Sequence, residues 1–123
     1  MKYLIIGTGG TGACIGGYLA HNHMDVTFIA RGQHLTSMLD TGLSIHSKKN
    51  GDFTIHPIKA MTMDDYQDHP DVIFVCVKYY SLSEVSSFIN RIATPETLVI
   101  PILNVFDTGE VLQKACPNAT VLS

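Results

Sequence analysis

Apolar residues along this chain follow two alternating rhythms. Residues 3–6 form an uninterrupted apolar run, the pattern of a strand buried on both faces of a parallel sheet. Over residues 11–22, Ile15, Tyr18 and Leu19 recur at helical spacing, and Val26-Thr27-Phe28-Ile29-Ala30 predicts a second strand. The chain therefore opens as β-α-β, a unit whose crossover is right-handed. In residues 33–40, Leu35, Met38 and Leu39 predict a short helix that Gly42 closes.

The rhythm then shifts to period two. Leu43, Ile45 and Ser47 alternate with polar neighbours, as do Phe53, Ile55 and Pro57, and Asn50-Gly51 lies between the runs. This predicts a β-hairpin or short meander with Pro57 on an edge strand. Residues 64–71, acidic and turn-rich, read as solvated loop. Residues 72–77 predict a central strand rich in β-branched side chains and ending on Lys78. Ser81-Leu82-Ser83-Glu84 has the form of a capping box, and Leu82, Val85, Phe88 or Ile89, and Ile92 carry the apolar stripe of the helix it starts. Pro95 stops that helix. Residues 97–103 predict another strand leading to Asn104, residues 107–115 a helix, and residues 119–122 the start of a last strand. The order of elements gives one α/β domain with a Rossmann-like, mainly parallel sheet, helices on both faces and a β-hairpin or meander insertion.

Composition narrows the function classes. A length of 123 residues supports one core, and 46% apolar with 15% charged residues suits a folded domain and not a disordered one. A net charge of −3 supplies no basic surface for nucleic acid, so a bound phosphate must be met locally. The longest apolar runs fall short of the roughly 20 residues that span a bilayer. Met1-Lys2 leads straight into the first strand without a signal-peptide core, so a cytoplasmic protein with no membrane partner is expected. Cys14, Cys76 and Cys116 lack CxxC spacing and read as reduced thiols. His21 and His23 miss the i, i+4 ligand spacing; the histidines read as solvated, and no metal site is expected.

The chemistry gathers on the turn Gly7-Thr8-Gly9-Gly10-Thr11-Gly12, between the first strand and the first helix. Such a string alone is a weak signal, but its position here fits a dinucleotide site. Gly7 permits the tight turn, Gly9 lets backbone approach a pyrophosphate, and Gly12 lets helix and sheet pack closely, while backbone N–H groups and the helix dipole face the phosphates. An NAD-binding unit places Asp or Glu about 20 residues further on, at the end of the second strand, to accept from the ribose 2′-hydroxyl. Ala30-Arg31-Gly32 stands there instead. The planar fork of Arg31 suits a 2′-phosphate and stacks on adenine, which favours NADP(H) over NAD. Lys78 and Asn104 end two successive strands, where ligands of open α/β sheets sit. Lys78 suits ribose, phosphate or a substrate carboxylate, or is a solvated strand-end lysine; the Asn104 amide suits cofactor or substrate, or caps a loop.

Taken together, Gly7-Thr8-Gly9-Gly10-Thr11-Gly12-Ala13-Cys14-Ile15-Gly16-Gly17-Tyr18-Leu19-Ala20, then Asp25-Val26-Thr27-Phe28-Ile29-Ala30-Arg31-Gly32, Val75-Cys76-Val77-Lys78 and Pro101-Ile102-Leu103-Asn104 resemble the amino-terminal domain of ketopantoate reductases (2-dehydropantoate 2-reductases). The resemblance covers essentially the whole chain. It implies NADPH-dependent reduction of 2-dehydropantoate to pantoate, on the route to pantothenate and coenzyme A. By position, Gly7, Gly9 and Gly12 would surround the pyrophosphate, Arg31 would meet the 2′-phosphate, and Lys78 and Asn104 would line the nicotinamide-ribose side near the keto-acid substrate. The family usually follows that asparagine with glycine, whereas Val105 stands here.

In that family the general-acid lysine and the substrate-binding polar residues come from a helical carboxy-terminal domain. Ketone reduction needs a proton donor as well as a hydride donor. The expectation is therefore that residues 1–123 are an NADP-binding domain with no catalytic residue of its own, inactive without the second domain. Two alternatives accompany it. One is the cofactor domain of a reductase for another 2-keto acid or sugar-derived substrate; the other is a regulatory nucleotide-binding module like those of potassium transport systems, which normally carry an acidic residue where Arg31 stands.

Overall fold

The first strand, β1 (Lys2–Ile6), sends its side chains alternately into two cores: Leu4 and Ile6 into one, Ile5 into the other. Both faces of the sheet are thus apolar, as the uninterrupted run of residues 3–6 requires. The computed structural model describes residues 1–7, 10–46, 48, 51–76, 80–102 and 109–122. After β1 the elements run α1 (Gly10–His21), β2 (Asp25–Ile29), α2 (Gly32–Thr41), β3 (Leu43–Ile45), β4 (Phe53–Ile55) and β5 (Ala60–Met61). The remainder is β6 (Val72–Val75), α3 (Leu82–Ile92), β7 (Leu98–Pro101), α4 (Gly109–Ala115) and β8 (Thr120–Val121).

Six strands form one sheet in the order β5-β2-β1-β6-β7-β8, and all its pairings are parallel. The chain winds outward from β1 on one side and then returns to its other side, so the direction of winding reverses between β1 and β6. In open α/β sheets that reversal opens the crevice in which ligands sit. Register sharpens the position. Ile6 lies opposite both Ile29 and Val75, so β1, β2 and β6 end level. Gly7, Ala30 and Cys76 leave the sheet together at that edge.

Helices cover both faces. On one side Ile15 and Leu19 of α1, with Leu35 and Met38 of α2, pack against Ile5, Val26 and Phe28. On the other, Val85, Phe88, Ile89 and Ile92 of α3, with Leu112 of α4, pack against Leu4, Ile6, Ile73 and Val99. Small residues bring α1 down onto the sheet: a Cβ at Gly16 would run into the Phe28 ring and lie 3.0 Å from Ile5. The Ser81 hydroxyl caps α3 by accepting from the Glu84 N–H at 3.1 Å, as the capping box predicts.

Some expectations are corrected, but the hairpin insertion forms as expected: a separate two-stranded sheet, with Ser44 opposite Thr54, set against α1. Its Phe53 ring stacks on His21 at 4.1 Å and meets Tyr18 at 5.4 Å, so the exposed His21 is not simply solvated. Pro57 is not a strand residue; it lies in a bend after β4, on a cis His56–Pro57 bond, and a residue without an N–H extends no ladder. Ser47 lies outside the described residues. The edge strand β5 went unpredicted because two residues carry no periodicity.

Residues 64–71 are not wholly a solvated loop. Tyr66 is buried against Phe88, its hydroxyl pushed up to about 12 chiefly by that burial. Arg91 of α3 holds the segment from below, donating to the Met63 carbonyl at 2.6 Å and the Tyr66 carbonyl at 2.9 Å. No helix among the described residues is long and apolar enough to cross a membrane.

Cys14 is exposed on α1, whereas burial pushes the Cys76 and Cys116 thiols up to about 11. A thiol reagent should therefore modify one cysteine in the native chain and all three after denaturation, since reaction needs an accessible thiolate. Modification of Cys76 at the native rate of Cys14 would contradict this burial. Gly16→Ala should lower unfolding stability by about 1–3 kcal/mol, read from its urea midpoint, because Phe28 must move to admit the methyl.

Candidate functional site

The shared end of β1, β2 and β6 gathers the distinctive local chemistry. At the end of β1, Gly7 has φ 84°, a left-handed backbone open to glycine at little cost, and its N–H points to the Ile29 carbonyl at 3.4 Å. The turn it makes sends the chain up into α1. A Cβ at Gly12 would strike the Gly7 carbonyl and stand 3.0 Å from the Cys76 Cβ and 3.3 Å from its sulfur. The absent side chain lets the first turn of α1 rest directly on the ends of β1 and β6.

The outer side of that turn is open. A Cβ at Gly10 would meet nothing within 4 Å, and Thr11 is exposed. The first turn of α1 carries no acidic side chain. The positive end of the helix dipole therefore faces the edge without an acidic side chain in that turn to offset it. Thr8 and Gly9 lie outside the described residues.

Arg31 follows β2 and occupies the N-cap of α2 in an extended conformation without capping it through its side chain. Instead the side chain reaches α3. Its guanidinium carbon lies 4.2 Å above the Tyr80 ring centre, and Nη1 is 3.1 Å from Oε2 of Glu84. Both partners of the ion pair are about half exposed, with side-chain exposures of 51% and 45%. Burial pushes the Tyr80 hydroxyl up; the Arg31 charge opposes that shift and Glu84 adds to it.

Tyr80 and Glu84 were absent from the residues singled out by sequence. In the sequence Glu84 reads only as the last residue of the capping box; its place beside Arg31 follows from the strand order on either side of β1. Lys78 and Asn104, with Val105, lie outside the described residues. The strands preceding them, β6 and β7, end at the same edge, Val75 opposite Pro101.

The described residues fit a dinucleotide. They combine a left-handed glycine, a helix start where a Cβ at Gly12 has no room, an open side at Gly10 in a first turn without an acidic side chain, and an arginine at the next strand end. No group of three or more His, Cys, Asp or Glu side chains among them could hold a metal. A second cleft lies at the opposite edge, where Pro95, Pro117, Asn118, Ala119 and Thr120 precede β7 or open β8, and no charged side chain lines it.

Comparison with known proteins places this geometry. The family model for ketopantoate reductase PanE/ApbA matches residues 3–123. An uncharacterized oxidoreductase, YkpB of Bacillus subtilis, is 36% identical over 99% of the chain and 39% of its own length. The 2-dehydropantoate 2-reductase of Pyrococcus horikoshii is 33% identical over 68% of the chain and 27% of its own length. Among solved structures, a PanE/ApbA family ketopantoate reductase from Ralstonia eutropha JMP134 superposes with a TM-score of 0.84 at 25% identity. That match covers 98% of this chain and 40% of the other. The chain thus spans at most about two fifths of the length of these relatives.

The two glycines predict opposite outcomes. Gly12→Ala should destabilise the chain by about 1–3 kcal/mol, because backbone and not a flexible side chain stands in the way. Gly10→Ala should leave stability unchanged or raise it by up to about 1 kcal/mol through helix propensity. Urea unfolding of the two variants reads the contrast, and equal effects would contradict the packing.

Proposed function

Because this chain belongs to the ketopantoate reductase PanE/ApbA family, we propose that residues 1–123 form the NADP(H)-binding domain of an oxidoreductase that reduces 2-dehydropantoate to pantoate. The observation that carries the reading is the guanidinium of Arg31 beside the end of β2, next to a glycine turn backed by Gly12. In this reading Gly7, Thr8, Gly9, Gly10, Thr11 and Gly12 hold the pyrophosphate against the start of α1, and Arg31 meets the 2′-phosphate with charge-assisted hydrogen bonds. Lys78 and Asn104 line the nicotinamide-ribose side, where the keto acid docks. The bound cofactor supplies the hydride. The protein's part is to fix the dinucleotide along the strand ends so that its reactive end faces the substrate.

The proton needed at the carbonyl oxygen comes, in this proposal, from a helical carboxy-terminal domain outside residues 1–123. Free, mostly buried thiols suit a reducing compartment, and we place the protein in the cytoplasm. Val105, where the family usually has glycine, supports a second reading in which the substrate is a different 2-keto acid.

Titration of the 123-residue chain, followed by reduced-nicotinamide fluorescence, should give tighter binding of NADPH than of NADH. Arg31→Gln should weaken NADPH by roughly 10- to 100-fold, the value of hydrogen bonds to a charged group, and leave NADH nearly unchanged. Equal loss for both cofactors would remove Arg31 from the 2′-phosphate. No turnover of 2-dehydropantoate by the chain alone is expected; turnover would overturn the assignment of the proton donor to a second domain.

A further inference from the structure

The carboxylate that NAD-binding units place at the end of the second strand is missing from Ala30-Arg31-Gly32, yet a carboxylate stands beside that strand end in space. It belongs to Glu84, in the first turn of α3, whose Oε2 lies 3.1 Å from Nη1 of Arg31. We propose that Glu84 is a specificity-determining residue of the cofactor site, keeping the preference for the 2′-phosphorylated dinucleotide shallow and letting NADH bind as well. This rests on the reading that Arg31 meets the 2′-phosphate.

The helix does not need this side chain as its cap. The Ser81 hydroxyl accepts from the backbone N–H of residue 84, a bond that any residue there makes. The carboxylate instead reaches across to the end of β2, 53 residues away in sequence. Both side chains of the pair are half exposed, and such a pair is weak and exchanges its partners readily. The guanidinium carbon also lies 4.2 Å from the centre of the Tyr80 ring it covers, a contact on Arg31 that does not involve Glu84.

Arg31 therefore keeps its place while the partner at its edge changes. A 2′-phosphate arriving there either displaces the Glu84 carboxylate or shares the guanidinium with it, at the cost of repulsion between two anions. A 2′-hydroxyl meets no such repulsion and finds a carboxylate able to accept its proton in a hydrogen bond. Repulsion across several ångströms of partly exposed site corresponds to about a five- to tenfold loss of relative affinity, and more at low salt.

The test titrates NADPH and NADH separately into the 123-residue chain and its Glu84→Gln, Glu84→Ala and Arg31→Gln variants, at low and moderate salt, with circular dichroism confirming the fold of each. Both Glu84 variants should raise the NADPH-to-NADH affinity ratio about five- to tenfold, more at the lower salt. An unchanged or lowered ratio overturns the role of Glu84. So does loss of NADPH affinity in Glu84→Ala with retention in Glu84→Gln, which would make Glu84 a prop for Arg31. The Arg31→Gln variant separates the two readings. If it abolishes the preference while the Glu84 variants do nothing, the 2′-phosphate reading stands and only the Glu84 proposal falls. If it leaves the ratio unchanged, or if the chain binds neither dinucleotide, both fall.

Discussion

The start of α1 sits on the sheet only because residue 12 has no side chain. The Gly7 carbonyl and the Cys76 side chain already occupy the space that a Cβ would fill, and Gly16 repeats the arrangement one helical turn later against Phe28. With α1 held there, its first turn stands over the level ends of β1 and β6, where the winding of the sheet reverses. A helix lifted by one methyl group would point its N–H groups away from that crevice. The site depends on a packing contact before it depends on any charge.

Charge then works locally. The chain as a whole is mildly acidic, and among the described residues the cation at this edge is Arg31, from the end of β2, steadied by the Tyr80 ring and by the Glu84 carboxylate of α3. Arg31, Tyr80 and Glu84 come from segments on either side of β1 in the sheet, so the parallel registry of β2, β1 and β6 is what brings them together. The register fixes which strand ends are neighbours, and the neighbours set the local charge at that edge.

Much of this is legible in the amino-acid sequence. Uninterrupted apolar runs mark β1 and β6 because strands covered on both faces have no polar side to display, and Ser81 with Glu84 marks the start of α3. The glycine turn and Arg31 could be read because each makes a backbone or charge demand that few residues satisfy. Other features were hidden for physical reasons. The strand β5 is too short to carry a period, and Tyr66 lies buried in an acidic, turn-rich segment because Arg91, 25 residues further on, clamps that segment to α3. The contact of Glu84 with Arg31 depends on which strands are neighbours, so the local pattern around Glu84 contains no trace of it. Membership of the ketopantoate reductase family was carried by motifs in order along the chain.

The central claim is that a dinucleotide lies across the ends of β1, β2 and β6. Amide chemical-shift mapping of the isotopically labelled chain with NADPH tests it most directly. The account predicts saturable shifts concentrated at Gly7, Gly10, Thr11, Gly12, Arg31, Tyr80 and Glu84, with the amides around Asn118 at the opposite edge unmoved. Shifts centred on Pro95-proximal and Asn118 amides, with the glycine turn silent, would contradict it.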